Sequence, residues 1–157
     1  VFTNPLPNSY QRFGCDEAPR YVSWSRQNRS QLVRIPMVKG DNCRMELRSP
    51  DPACNPYLAI GLVLAAGLDG IEHRMVLQAP INKNLFDPTE AAGLGLERLP
   101  STLEEAVQAA QESEFLRRVL PEELSHRYYE EELKRCAALK AAADPAEYER
   151  VHYFNAI

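Results

Sequence analysis

Five consecutive residues concentrate the charged chemistry of this sequence: Arg44-Met45-Glu46-Leu47-Arg48. In a strand, side chains alternate with a period of two. Arg44, Glu46 and Arg48 then share one face, and Met45 and Leu47 take the other. Residues 31–35 alternate as well, and place Arg34 opposite Val33 and Ile35. If the two segments pair, four charged groups gather on one face of a small sheet. A carboxylate flanked by guanidiniums can serve as a metal ligand or an anchor, and the guanidiniums can hold a carboxylate or phosphates. A solvated face crossed by cross-strand salt bridges has the same pattern, so spacing alone leaves both readings open.

Other candidate chemistry is sparse. Asp51, in Ser49-Pro50-Asp51-Pro52, has the setting of a turn or capping carboxylate. His73, His126 and His152 lie far apart, and no Ser-His-Asp arrangement is supported. Cys15, Cys43, Cys54 and Cys136 show no C-x-x-C spacing and no adjacent His, so free thiols in a reducing compartment are expected. Gly67-Leu68-Asp69-Gly70 and Gly93-Leu94-Gly95 fall at a helix end and in a connection, not in a phosphate-cradling loop.

The elements that must position the charged strand follow from local rules. Seven of the twelve prolines fall in the first 56 residues, which predicts short strands and turns there. Residues 21–25 alternate, and residues 26–30 supply a polar turn, so 21–25 and 31–35 are predicted to form a hairpin. Gly40-Asp41-Asn42 signals a second turn before the strand at 44–48. The remainder reads as helical. Asn55 caps a helix with Pro56 at its first position, running to about Leu68. That helix is apolar all round and is expected to be buried. Residues 72–100 are mostly connection. Ser101-Thr102-Leu103-Glu104 has the form of a capping box, followed by helices over 114–119 and 121–142 and a last short one from Asp144-Pro145. The expected fold class is α+β: a small antiparallel sheet over residues 1–54, then a helical layer over 55–157.

The 157 residues carry a net charge of −4, unevenly spread. Residues 1–50 are basic through seven Arg and one Lys, and the rest is acidic. With no Lys cluster and little aromatic interleaving, the basic part does not resemble a nucleic-acid surface. Arg in preference to Lys suits planar contact with carboxylate or phosphate. No apolar run reaches the ~18–20 residues of a membrane helix, so neither a membrane nor a nucleic-acid partner is expected.

Five motifs in order carry a family resemblance. They are Asn4-Pro5-Leu6-Pro7-Asn8-Ser9-Tyr10-Gln11-Arg12; Glu17-Ala18-Pro19; Asn28-Arg29-Ser30 with Arg34-Ile35-Pro36; Arg44 through Leu58; and Ala66-Gly67-Leu68-Asp69-Gly70-Ile71. Together the chain resembles the C-terminal part of the catalytic domain of a bacterial or archaeal-type glutamine synthetase. The resemblance spans essentially the whole chain and is densest over residues 4–71. It implies ATP-dependent joining of ammonia to glutamate through a γ-glutamyl phosphate, with Mg²⁺ or Mn²⁺, in a cytoplasmic enzyme that assembles as a ring-shaped homo-oligomer. By resemblance, Glu46 is a metal ligand and Arg12 and Arg48 hold glutamate carboxylates. Arg29 meets the transferring phosphate near both ATP and glutamate, and Arg34 and Arg44 contact the nucleotide. Glu17 is the loop carboxylate that shields the intermediate and helps form the ammonium site.

The departures from the family pattern matter too. The loop from Arg12 to Glu17 is one residue shorter than in common members, and the turn between Arg34 and Arg44 is shortened. The tyrosine that some members use for adenylylation falls at Phe86, which has no hydroxyl. The family's N-terminal portion, with most of the metal carboxylates, is absent, so this polypeptide alone is expected to be inactive. A paralogue joining glutamate to an amine, and a free-standing non-catalytic interaction domain, are the competing readings.

Overall fold

A chain interrupted so often by proline can build only brief strands, and its strands are brief. The computed structural model describes residues 1–154; the last three residues of the expected helical part lie outside them. In chain order the elements are β1 (Trp24–Arg26), β2 (Val33–Ile35), β3 (Glu46–Leu47), α1 (Pro56–Glu72), α2 (Pro88–Ala91), α3 (Leu103–Glu112), α4 (Glu114–Val119), α5 (Glu122–Ala141) and α6 (Pro145–His152). Two 3-10 turns, Pro7–Arg12 and Gly40–Asn42, complete the set. The chain divides into two compact units. One comprises Val1–Gln11, Asp51–Met75 and Pro100–Ile157; the other comprises Arg12–Pro50 and Val76–Leu99.

The second unit holds the sheet, in the order β1-β2-β3. The fold class is α+β as expected, but the sheet is mixed, not antiparallel throughout. β2 and β3 are antiparallel, whereas β1 and β2 are parallel, with Trp24 opposite Val33, Ser25 opposite Arg34 and Arg26 opposite Ile35. The hairpin expected over 21–35 is therefore corrected to a parallel return. Parallel neighbours usually need a long crossover. Here the strands have only three residues each, about 10 Å, so a short loop can carry the chain back to the start of β1. Gln27 begins that return in the left-handed region, at φ 75°. The other edge of β1 is occupied by 76–99: the Ile81 N–H donates to the Trp24 carbonyl at 2.9 Å, and the Trp24 indole donates to the Gln78 carbonyl at 2.7 Å.

In the first unit, every helix but α5, which Pro121 precedes without a side-chain cap, starts where its capping residue stands. Asn55 accepts from the N–H groups of Tyr57 and Leu58, Ser113 from Leu116, and Asp144 from Glu147. The cap of α3 is Thr102, one residue later than the expected box, and Glu105 turns back to accept from the Ser101 N–H at 2.7 Å. Leu103, Ala106, Val107 and Ala110 recur at helical spacing and are buried, with α3 packed on α5. Phe2 and Tyr128 close this core with ring centroids 4.5 Å apart.

α1 departs from expectation. It is apolar all round, yet among its residues only Ala59 and Leu62 are buried. Tyr57, Ile60, Leu64, Leu68 and Ile71 are 60–88% exposed. Hydrophobicity on every face signals burial only when the chain supplies enough neighbours to cover every face, and this chain covers one.

Candidate functional site

Antiparallel pairing places Arg34 of β2 directly opposite Glu46 of β3, where side chains of opposed residues project together. The Arg34 Nη1 donates to Glu46 Oε2 at 2.7 Å. Arg44, just before β3, donates to Glu46 Oε1 through Nε at 3.2 Å and Nη2 at 3.0 Å. Arg48, just after it, lies with Nη1 3.7 Å from Glu46 Oε2. The alternation read from the sequence thus gathers three guanidiniums around one carboxylate.

A second carboxylate arrives from the 14–18 loop. The Gly14 N–H donates to the Ala18 carbonyl and the Ala18 N–H to the Cys15 carbonyl, both at 2.8 Å, pinching the loop into a tight turn. Asp16 and Glu17 have φ 45° and 69°, in the sparsely populated left-handed region that often accompanies functional sites. Gly14 is at φ 87°, which favours glycine, and a β-carbon there would come 2.6 Å from the Arg20 guanidinium, the mobile end of a side chain that would have to shift. The turn delivers Glu17 Oε1 to Arg29 Nη1 at 3.0 Å and Glu17 Oε2 to Arg48 Nη2 at 3.2 Å. Arg48 also donates through Nε to the Arg29 carbonyl at 3.0 Å. It bridges the two carboxylates.

Four guanidiniums therefore surround two carboxylates, leaving the cluster cationic. Hydrogen bonding to Arg34 holds the Glu46 carboxyl below the usual glutamate value, and hydrogen bonding to Arg29 does the same for Glu17. Arg34 and Arg48 are mostly covered, with side chains 19% and 15% exposed, whereas Arg29 and Arg44 are 62% and 51% exposed. The covered pair is fixed in place, and the exposed pair presents N–H donors to solvent. Such a surface can bind carboxylates and phosphates through charge-assisted bonds.

Among the described residues, no three His, Cys, Asp or Glu side chains come together as a metal cage. Glu46 offers one carboxylate, and both its oxygens already accept from guanidiniums. A divalent cation needs several oxygen ligands, so the donors of this chain by themselves do not fit one.

Of the seven residues singled out from the sequence, Glu17, Arg29, Arg34, Arg44, Glu46 and Arg48 form this one cluster. Arg12 is fixed close by through Nη1, which donates to the Ser49 carbonyl at 2.8 Å. The three histidines stand elsewhere, in α1's C-cap, α5 and α6, where His73 and His126 face Asp69 and Glu130 and His152 stacks on Tyr148. Sequence reasoning gave no role to the polar residues beside Arg29: Asn28, Ser30 and Gln31, all bonded to segment 83–85. Their signal was available, because Asn at the first position of a turn readily bonds the backbone two residues on.

The sequence model "Glutamine synthetase, catalytic domain" matches residues 1–151. Glutamine synthetase of Methanosarcina mazei is 46% identical over 129 residues, covering 80% of this chain and 29% of the relative. That of Methanococcus voltae is 35% identical over 151 residues, 94% of this chain and 34% of the relative. That of Staphylococcus aureus is 44% identical over 120 residues, 74% of this chain and 27% of the relative. A solved structure of a GmaS/ADP complex superposes with a TM-score of 0.80 at 32% identity, over 96% of this chain and 34% of that one. The chain belongs to the glutamine synthetase catalytic-domain family. It spans about a third of the length of the relatives it matches.

Proposed function

We propose that this chain is the C-terminal segment of the catalytic domain of an ATP-dependent glutamate–ammonia ligase, and that it supplies the arginine-rich half of the active site. The cluster of Arg29, Arg34, Arg44 and Arg48 around Glu17 and Glu46 carries this reading, because it is cationic, preorganised and partly exposed. Membership of the family supports it, as does the likeness to a protein solved in complex with ADP.

In the proposed reaction, a side-chain oxygen of glutamate attacks the γ-phosphorus of ATP, and ADP leaves with the electrons of the broken P–O bond. Ammonia then attacks the γ-glutamyl carbon, phosphate leaves, and a proton is lost to give the amide. Arg48 and Arg12 hold the glutamate carboxylates. Arg34 and Arg44 receive the nucleotide. Arg29, exposed and oriented by Glu17, neutralises charge on the phosphoryl group in flight, where preorganised donors contribute most. Glu17 shields the intermediate from water and favours ammonium. The metal role given to Glu46 requires further oxygen ligands from outside this chain. Within the chain, Glu46 aligns three guanidiniums. The exposed face of α1 fits the same picture as a surface for the rest of the catalytic domain.

The test is a chimera in which this chain replaces the matching segment of the M. mazei glutamine synthetase. ADP release that requires both glutamate and ammonia, and that falls by at least about 100-fold in Arg29→Ala, is expected. A folded chimera that hydrolyses no ATP, or that accepts an amine but not ammonia, would overturn the assignment. Titration of the 157-residue chain alone with ATP and Mn²⁺ is expected to give no saturable heat. Metal-dependent ATP binding abolished by Arg34→Ala would instead make the segment a complete nucleotide site.

A further inference from the structure

The loop between β1 and β2 carries Arg29 at its exposed tip, yet the residues on either side of it are tightly held. Asn28 Oδ1 accepts from the Ser30 N–H at 2.9 Å, and Asn28 Nδ2 donates to the Lys83 carbonyl at 2.8 Å. Gln31 Nε2 donates to the same carbonyl at 3.0 Å and to Ser30 Oγ at 3.1 Å. The Leu85 N–H donates to Ser30 Oγ at 2.9 Å. The Ser30 hydroxyl has two acceptor sites and one proton. The acceptor sites take Leu85 and Gln31, and the proton faces Asn28 Oδ1 at 2.9 Å. Ser30 and Gln31 are buried, at 2% and 0% exposure, where a lost hydrogen bond costs most; Gln31 bonds through Nε2 alone, its Oε1 having no partner.

The loop backbone is held from the sheet side as well. The Gln27 carbonyl accepts from Arg34 Nε at 2.8 Å and the Arg29 carbonyl from Arg48 Nε at 3.0 Å. The network outside the charged cluster thus ends on a stretch of chain more than fifty residues away, and its bonds to that stretch run between uncharged groups. Neither charge attraction nor sheet pairing requires these bonds. They leave the Arg29 side chain free to reach outward to Glu17.

We propose that Asn28, Ser30 and Gln31 are positioning residues that use the carbonyl of Lys83 and the amide of Leu85 to hold the backbone of Arg29 where its guanidinium meets Glu17. Residues 83–85 are then a second anchor of the anion-binding face, and a change in that segment is transmitted to Arg29. The inference rests on the reading of Arg29 as the anion-binding group. Its test does not depend on any ligand.

The readout is the carboxyl titration of Glu17, followed by ¹³C NMR in the ligand-free 157-residue chain. The charged groups facing Glu17 are Arg29 and Arg48. Arg29→Gln defines the full upward displacement of the Glu17 titration when that partner is lost. Ser30→Ala removes the hydroxyl hub. Asn28→Ser keeps a side chain able to close the local turn but too short to reach the Lys83 carbonyl. Both are expected to raise the Glu17 titration by at least half of the Arg29→Gln displacement, and Ser30→Ala also to remove protection of the Leu85 amide against exchange. Asn28 is only half-buried, so its variant reports even if Ser30→Ala does not fold. A Glu17 titration unchanged in a folded Asn28→Ser chain, or in a folded Ser30→Ala chain whose Leu85 protection is lost, means that the network merely closes the loop, and overturns the proposal. A chimera that fails to make glutamine leaves this result untouched, so the two readings fail separately.

Discussion

Glu46 accepts from two guanidiniums and lies 3.7 Å from a third, so its removal leaves Arg34, Arg44 and Arg48 facing one another. The effect has a pH signature. Glu46 and Glu17 both sit below the ordinary glutamate value of 4.5. A carboxyl with a lowered folded pKa binds its proton less tightly when folded, so its contribution is complete above about 4.5 and vanishes as pH falls through the folded value. Glu46→Gln is expected to melt below wild type at pH 7, with the gap closing as pH drops below 4.5. Thermal melts of both chains across that range check it, and a gap independent of pH would assign the loss to packing. Gly14 gives a second expectation. Gly14→Ala forces a β-carbon into the left-handed region, at about 1–2 kcal/mol, and against Arg20. It should destabilise the chain by at least that much in urea unfolding. Because the strain lies in the loop that presents Glu17, the Glu17 titration should shift up with it.

Elements show which parts of the fold were legible and why. The shared side of Arg44, Glu46 and Arg48 was readable because alternation depends only on a strand's two-residue period, although the strand itself is only Glu46–Leu47, and the Arg34–Glu46 pair comes from its antiparallel register with β2. Two helix starts were readable because capping is local: Asn55 and Asp144 each stand where an oxygen can reach free N–H groups. The direction of β2 was not readable. A polar turn after a strand fits a hairpin, whereas the observed register is parallel, and the loop that makes this return is held by bonds to 83–85, distant in sequence. The burial of α1 was illegible for a similar reason, since composition reports what a helix can bury and not what is there to bury it. That contrast is measurable within one helix. Leu62→Ala, at a buried position, should cost about 2–5 kcal/mol, and Leu64→Ala, 64% exposed, within about 0.5 kcal/mol of nothing. α5 carries the opposite anomaly in Glu132, which is 4% exposed with Oε2 lacking a hydrogen bond and Arg135 Nε 3.4 Å away. Burial pushes its carboxyl up to about 7, against the pull of Arg135 and with a push from Glu131. A raised folded pKa favours the fold below about 4.5 and withdraws that support as pH rises to about 7, a change of roughly 3 kcal/mol. Glu132→Gln should therefore gain on wild type in urea unfolding as pH rises from 5 to 8. An identical pH dependence in the two chains would place the titration elsewhere.

At the scale of the whole molecule, the chain exposes more apolar surface than a finished monomer keeps. Tyr57, Ile60, Leu64, Leu68 and Ile71 follow one another along α1 at intervals of three and four residues. They form one stripe along α1, whereas isolated exposed leucines are ordinary. A contiguous stripe of this kind has the character of a core cut in half. The chain spans about a third of its relatives, and on the proposed reading the rest of the catalytic domain is the cover. An uncovered stripe in water should find the nearest substitute, which is a second copy. Sedimentation velocity of the 157-residue chain is expected to show association that grows with concentration and weakens in Leu64→Lys/Leu68→Lys, while the helical circular dichroism stays unchanged. Both positions are solvent-facing, so the double variant disturbs association and not folding. In the chimera with the M. mazei enzyme the same double variant should behave in reverse, impairing assembly of the catalytic domain, because there the stripe has its cover. A chain that remains monomeric at every concentration, or a chimera indifferent to lysines on α1, would show that the stripe meets water in the intact protein as well.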